Sequence, residues 1–556
     1  MKGERTFLSK IKIFSLGGLN ENGKNMYVVD VDDNIFIFDA GLKYPSANLL
    51  GVDYIIPKYD YLKDNISKVR GIFITHAHEG NMGAVPDILE ELPDVPVYAT
   101  KCSMNILKEE LTKYGIKATA LKEIRPHAKI DVSGFSIFPV AVSHTMPETV
   151  AYVLYTDDGA IVYASDFVFD STMLGSFKTD IGKLAYVGKQ GVLCLLSESV
   201  YAYRIGHTSP KHRINNDLWD ALNDTDGRII ISVFPTHLYH LQEIFDQIKR
   251  TKRKVVLMGK KLQDMVSYAS EANYLTYNKD GVGDLSNIDD KDVVIITSDD
   301  KEKPFGSIEK ILSGYDKFLK FKDGDLVFFS EPVYPGTEKK VAKIMDDLSR
   351  LGVNVVSLGN KRHLLYHASQ EDLMQMLNLM SPKYYFPIKG EYRYMYMNAM
   401  VAEQVGIPKD NIILKLNGDV ACFEDGKLID KKEHISVGET LIDGITSDDI
   451  GALVLKDREM LSKNGIVIVS ATLDKKTKKL LANPQILTRG FIYVKDNLDI
   501  VEHIEEISKE VIEATGLNNG KTDFGKIKQN IRNELGTYFM KETGSIPMVI
   551  TVVLEI

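Results

Sequence analysis

The chain has 556 residues, and its 68 Lys and Arg against 77 Asp and Glu leave a formal net charge of −9. An apolar share of 44% with 26% charged residues excludes a disordered or fibrous chain, and at roughly 100–200 residues per domain the length implies about three or four domains. Cys102, Cys194 and Cys422 are too few and too far apart for a disulfide framework or a cysteine-based zinc module. No run approaches the ~18 apolar residues of a membrane span. Lys10 and Lys12 fall where a signal peptide requires unbroken apolarity, so a cytoplasmic chain is expected. The acidic balance excludes coating of DNA by bulk charge. The basic runs 249–254 and 475–479 are either solvated turns or guides for an anionic polymer.

Short apolar runs bounded by turn residues predict strands at IKIFSL from Ile11, MYVVD from Met26, NIFIFDAG ending at Gly41 and GIFITH ending at His76. FSIFPVAV from Phe135, AYVLYT and AIVYASD follow. Helical spacing falls between them, over 84–91 and 102–111, which predicts a sheet-rich α/β unit rather than a barrel. From Arg228 the rhythm changes. Strands RIIISVF, KVVLMG, DVVIIT, DLVFFS and VNVVSL alternate with helical stretches such as 238–249 and 338–351, the pattern of a parallel sheet with helices on its faces. After Ser369 the pattern is helix, strand KYYFPIK, helix and strand. The Gly-punctuated stretch 434–451 reads as a connector, and the last ~105 residues form a small unit with helices near 498–514 and 522–539 and a final strand MVITVVLEI.

Histidine carries the chemical signal. His76 and His78 lie two apart after a buried strand, so in an extended loop their rings point the same way and can share one cation through neutral imidazole nitrogens. His144, Asp166 and Asp39 also follow strands. Ligands converging from several strand ends onto one sheet edge make a metal site, although His-x-His alone is often a chance surface pair.

The surrounding motifs carry a family resemblance. Phe38-Asp39-Ala40-Gly41, GIFITHAHEGNMGAVPDIL from Gly71, SHTMPE from Ser143 and YASDF from Tyr163 form an ordered series that resembles the metallo-β-lactamase fold. CLLSESVY around Glu198, HLLYHASQEDL from His363 and YYFPIKGEYR from Tyr384 resemble its β-CASP subgroup, which processes nucleic acids. LGGLNENGKNMYVV, LKDREMLSKNGIVIV and NPQILTRGFIYV narrow the resemblance to the bacterial J-type ribonucleases, over nearly the whole chain. The resemblance implies an α/β architecture: an αββα metallo-β-lactamase sandwich split over 1–208 and 360–432, a β-CASP α/β domain over 209–359, a linker over 433–450 and a small α+β oligomerisation domain over 451–556. It also implies 5′→3′ exonuclease and some endonuclease action on RNA with two divalent metals. One metal would sit on His76, His78 and His144 with Asp166 as the bridge.

The departures from that pattern are informative. Where the family has His-x-His-x-Asp-His, this chain has Gly80 and Asn81 in place of the Asp and last His, and a later family His is Lys389. All three losses strike the second metal. Gly80 has no donor, Asn81 offers only a neutral carbonyl, and an ammonium repels a dication. Lys389 either substitutes a fixed charge for the missing ion by pairing with Asp166, or turns away toward Glu391 or Glu198. Glu79 occupies a non-ligand position and does not replace the lost Asp. At most one zinc or manganese ion per chain, or none, is expected. The family's His-x-Ser-Gly-His is here His363, Leu364, Leu365, Tyr366 and His367, which removes a hydroxyl and fills space that Gly left open. Tyr366 either packs in the core or stacks on a base. His367, oriented by Glu198, keeps the position of the family's proposed proton donor, so His367, Glu198 and Asp166 are the catalytic candidates.

These features resemble the degenerate second J paralogue that accompanies an active one. The resulting expectation is an RNA-binding subunit of mRNA turnover and rRNA maturation, weak or inactive alone, that assembles with the active paralogue or forms homodimers or tetramers. The rival is a slow ribonuclease working with one metal. Hydrolysis of a small lactam or thioester is disfavoured, since it needs neither the inserted domain nor the C-terminal unit.

Overall fold

The computed structural model describes residues 9–45, 49–299, 305–333, 337–359, 364–444, 452–492, 498–515 and 523–556, so His363 lies outside the described residues. The chain divides into two compact units, one of residues 1–44 and 55–440, the other of 45–54 and 441–556. The division falls inside the expected connector, which also contains a short strand, Glu439–Ile442.

In the larger unit an eight-stranded and a six-stranded sheet enclose one apolar layer. Within the eight-stranded sheet Lys10–Gly17, Met26–Val31 and Asn34–Phe38 are antiparallel neighbours, Ala421–Glu424 and Lys427–Ile429 extend it on one side, and Val69–Phe73 continues it in parallel on the other. Strand alternation sorts its side chains. Phe36 and Phe38 enter the layer between the sheets, where Phe38 lies 5.9 Å from the Tyr152 ring and 5.4 Å from that of Tyr163. Helices cover the outer face of the six-stranded sheet, packing Leu184, Val187, Leu373, Met376 and Val401 onto Val153, Val162 and Leu195. Each buried side chain of this kind contributes about 1.5–3 kcal/mol by removal from water.

The chain leaves this sandwich after the strand Val192–Glu198, returns with the helix Gln370–Met380 on its outer face and adds the strand Tyr384–Ile388, which pairs in parallel with Val192–Glu198 so that Ile388 lies opposite Glu198. This register brings Lys389, nearly two hundred residues away in sequence, beside Glu198. Between exit and return lies a six-stranded sheet, parallel throughout, with Ile229–Ser232, Leu326–Phe329, Val255–Met258 and Val294–Thr297 fully buried, the arrangement that the alternating pattern predicts. On its helix Asn215–Asp224 the chain's single tryptophan, Trp219, is covered by the Arg250 guanidinium at 3.7 Å. Arg253 donates to the Gly227 carbonyl at 2.9 Å, so both arginines of the basic run 249–254 serve the local fold. The other run, 475–479, is a turn in which Asp474 accepts from the amides of Lys476 and Thr477.

The smaller unit is a three-stranded sheet with Ile466–Leu473 at its centre, antiparallel to Gln485–Arg489 and parallel to Met548–Glu555. Its helices Leu498–Thr515 and Phe524–Thr543 pack Ile504, Ile527, Ile531 and Leu535 onto one face of that sheet. A further helix, Ala452–Asn464, was not expected from periodicity, and none of its described side chains is buried. No helix among the described residues is long and apolar enough to cross a membrane.

Candidate metal centre

His76 and His78 follow the strand Val69–Phe73, and His144 follows Phe135–Ala141 in the facing sheet. The three rings meet edge to face with centroids 4.6, 4.7 and 4.9 Å apart, and their ligand atoms all lie within 4.8 Å of one another. His144 Nδ1 lies 2.9 Å from the Tyr366 carbonyl, which can only accept, so Nδ1 carries the proton and Nε2 keeps its lone pair toward the cluster. Burial pushes His76 down to about 3 and holds His78 and His144 well below the usual imidazole range. All three are therefore neutral at pH 7, the state a cation requires. His76 Nε2 is buried without a hydrogen-bond partner among the described residues and lies 3.3 Å from Asp166 Oδ2. An orphaned imidazole nitrogen facing two other imidazoles and a carboxylate fits one metal ion.

The donors of a second ion are absent or committed elsewhere. Lys389 Nζ donates to both oxygens of Asp166, and the pair is buried. Burial works to raise the Asp166 carboxyl, but the ammonium and His367 hold it well below the usual carboxylate range. Asn81 Nδ2 donates to Asp39 Oδ2 and to Ser165 Oγ, both at 2.8 Å. Gly80 presents its carbonyl to Asn25, whose backbone amide and side-chain Nδ2 donate at 3.1 and 2.8 Å. Glu79 accepts from the Tyr44 hydroxyl and lies 3.6 Å from Lys261 Nζ, outside the ligand group. These residues do not fit a second ion.

Asp39 stands outside the histidine cluster. Its strand ends at Phe38, and at φ 60° the backbone turns the carboxylate inward to accept from the Thr75 amide, the Thr75 hydroxyl, Asn81 and the Tyr163 phenol. Burial raises it to about 6 despite these donors. It is a brace for the loop bearing His76, not a ligand.

Glu198 is fully buried. Its Oε1 accepts from the amides of Phe167 and Ala368, and its Oε2 lies 2.7 Å from His367 Nδ1. Burial works to lower His367, yet Glu198 and Asp166 lift it to about 9, so its ring is a fixed cation at neutral pH. Leu364 is buried and offers a substrate no surface. Leu365 donates its amide to the Tyr201 hydroxyl at 3.2 Å. Tyr366 is buried, with its ring 4.4 Å from that of His212 and its hydroxyl donating to Glu243 Oε2 at 3.3 Å. Its ring fills the cleft floor and leaves no open face for a base. The cleft itself has a volume of about 220 Å³ and is walled by Tyr201, Tyr203, Tyr394 and Phe234 as well as His78, His144, His237 and His367.

Tyr201, His237 and the Arg213–Glu243 pair are site neighbours that sequence reasoning missed. Arg213 reaches Glu243 at 3.1 Å and Asp170 at 2.9 Å, and burial raises Glu243 to about 7. The His237 ring lies 5.0 Å from that of His78. The only signal for His237 was its place after the strand RIIISVF, at the same sheet edge as the cleft.

Comparison with known proteins agrees with this architecture. The beta-lactamase superfamily domain matches residues 36–237, the Ribonuclease J beta-CASP domain 226–348, the Zn-dependent metallo-hydrolase RNA specificity domain 365–413 and the Ribonuclease J C-terminal domain 453–556. Ribonuclease J2 of Bacillus subtilis (strain 168) is 35% identical over 561 residues, covering 100% of both chains. Ribonuclease J 2 of Staphylococcus aureus (strain NCTC 8325 / PS 47) is 32% identical over 98% of each. A solved structure of a protein of unknown function from Enterococcus faecalis V583 shares the fold at 17% identity, with a TM-score of 0.52 over 74% of this chain and 100% of that one. The sandwich, its inserted parallel-sheet domain and the C-terminal unit therefore have the expected fold class, and the chain belongs to the ribonuclease J family.

Proposed function

We propose that this chain is an RNA-binding subunit of the ribonuclease J type, acting in RNA processing and decay, with little or no hydrolytic power of its own and at most one bound zinc or manganese ion. The observation that carries this reading is the Lys389 ammonium on both oxygens of Asp166, where a bridging carboxylate would otherwise hold two cations. Two-metal phosphodiester hydrolysis relies on one ion at the attacking oxygen and one at the leaving oxygen. A buried ammonium fixed on both oxygens of Asp166 neutralises that carboxylate, but it cannot generate a nucleophile. His367, held cationic by Glu198 and Asp166, is the positive group that lines the cleft, and it binds phosphate better than it shuttles protons at neutral pH. His76, His78 and His144 would hold the single ion, which when bound supplies Lewis acidity and an acidified water ligand.

Purified chain should carry no more than one zinc per molecule by elemental analysis and should bind a 5′-monophosphorylated RNA without cleaving it. Two ions per chain, or rapid cleavage by the chain alone, would overturn this reading. His76→Ala should remove the ion.

Assembly with an active paralogue is part of the same proposal. One face of the C-terminal sheet packs on helices, while Ile550, Val552 and Leu554 on the other remain solvent-exposed. An alternating apolar row on an edge strand is the surface of a subunit contact. Mixing the chain with an active paralogue should give a mixed assembly by native mass spectrometry and change the paralogue's cleavage rate. Homodimers alone, with no effect on the paralogue, would contradict it.

A second reading, a slow ribonuclease using one ion, is favoured by the orphaned His76 Nε2. It requires RNA cleavage that depends on added manganese or zinc and disappears in His76→Ala.

A further inference from the structure

Outside the cleft, the inserted domain carries another polar pocket at the carboxyl edge of its parallel sheet. Strands Val255–Met258 and Val294–Thr297 are neighbours, and a cavity of about 330 Å³ opens past their ends beside the helix Lys260–Glu271. Thr297 and Ser298 line it. They are 1% and 8% exposed, and neither Thr297 Oγ1 nor Ser298 Oγ has a hydrogen-bond partner among the described residues. A buried hydroxyl without a partner is costly, and two on one cavity wall point to a ligand that satisfies them.

The ligand's charge follows from the neighbours. The helix Lys260–Glu271 begins at this cavity behind Gly259, which has φ +115° and no side chain to cap the first turn. A Cβ on Gly259 would sit 3.3 Å from Ser298 Oγ, so that hydroxyl lies against the helix N-terminus. Amide N–H groups at a helix start carry partial positive charge and favour an anion. Lys260 and Lys310 also line the cavity, exposed and without an ion pair among the described residues. Two carboxylates share the wall. Asp316 Oδ1 is occupied by the amides of Phe318 and Leu319 at 2.9 Å, and Asp299 is the other. Hydroxyls, helix amides and ammonium groups are all donors, which suits a tetrahedral oxyanion with several acceptor oxygens.

We propose that this pocket is a phosphate subsite that takes one backbone phosphate of a single-stranded RNA lying outside the cleft. The assignment rests on the RNA-binding reading above and extends it to the inserted domain. Position supports it: the Thr297 carbonyl accepts from the Val233 amide at 3.0 Å, and the next residue, Phe234, walls the cleft. One strand of RNA can therefore touch both along a single sheet edge.

The test uses the full chain, a fluorescein-labelled single-stranded oligoribonucleotide and anisotropy titrations at several salt concentrations. Thr297→Val with Ser298→Ala should weaken RNA binding about tenfold while leaving the ligand-free melting temperature unchanged or higher, because no protein hydrogen bond is lost. Lys260→Gln with Lys310→Gln should flatten the logarithmic salt dependence by about 0.7 for each phosphate contact removed. A fall in the ligand-free melting temperature of the hydroxyl variant would mean the hydroxyls serve the fold, and the proposal fails. Wild type that binds RNA no better than both variants would end the subsite but leave the RNA-binding reading intact. If wild type binds no RNA, that reading fails and the subsite with it, even where inorganic phosphate raises the melting temperature of wild type and not of the hydroxyl variant.

Discussion

The two halves of the candidate centre differ in where their polar atoms are spent. On the histidine side, His76 Nε2 is buried and unpartnered among the described residues, and His144 is held with its Nε2 lone pair facing the other rings, 3.2 Å from His78 Nδ1. On the opposite side every group is satisfied by the protein: Asn81 by Asp39 and Ser165, Gly80 by Asn25, Asp166 by Lys389. An open donor set marks a site that can still take a ligand, whereas a closed one marks a site converted into structure. The stability of the second half should therefore no longer depend on metal, and that is what substitution can break.

The largest effect is expected at Lys389. Lys389→Ala leaves Asp166 as a buried carboxylate with only His367 as a cationic neighbour, and should cost about 3 kcal/mol in urea denaturation with chelator present. An unchanged midpoint would show that the ammonium is not what holds this half together. Asn81→Ala should cost about 2 kcal/mol, since Asp39 and Ser165 each lose a donor inside the protein. A smaller effect should appear in the pH dependence. Burial raises Asp39 from about 4 when unfolded to about 6 when folded, so the folded state holds the proton more tightly. Its contribution is fully present below pH 4, declines by at most ~1.4 kcal/mol per pH unit between 4 and 6, and is flat above. The stability difference between wild type and Asp39→Asn should follow this decline across that window, because the opposing rise from the neutral His76, His78 and His144 is common to both, and in Asn81→Ala the upper limit of the Asp39 contribution should move to higher pH. The smallest change is expected from Lys389→His: zinc content should stay at or below one per chain, because Gly80 and Asn81 still supply no donors. Two ions in that variant would mean the second half remains a metal site.

Strand alternation and helical spacing made a sheet-rich α/β unit and the inserted parallel sheet legible, because both periods follow from backbone geometry, whereas the sandwich was implied by the family resemblance. The helix Ala452–Asn464 was not legible. None of its described side chains is buried, so it leaves no apolar stripe to find. The histidine trio was readable because each member follows a strand in a recognisable motif. Asp39 shared that signature and has a different role, since the left-handed turn after Phe38 aims it at Thr75 and Asn81. Whether Lys389 faced Asp166 or turned away depended on the pairing of Tyr384–Ile388 with Val192–Glu198 across the whole inserted domain, which is a tertiary fact. The Tyr366 contact with Glu243 spans 123 residues and has no local trace in the sequence.

Trp219, shielded by Arg250 on a helix of the inserted domain, is the chain's single tryptophan, and excitation at the long-wavelength edge of its absorption selects it over the 27 tyrosines. Its emission follows the opening of that domain alone, while circular dichroism averages over every helix and strand. Coincident curves from the two signals would identify one cooperative unit, and an earlier fluorescence transition would show the inserted domain coming apart first.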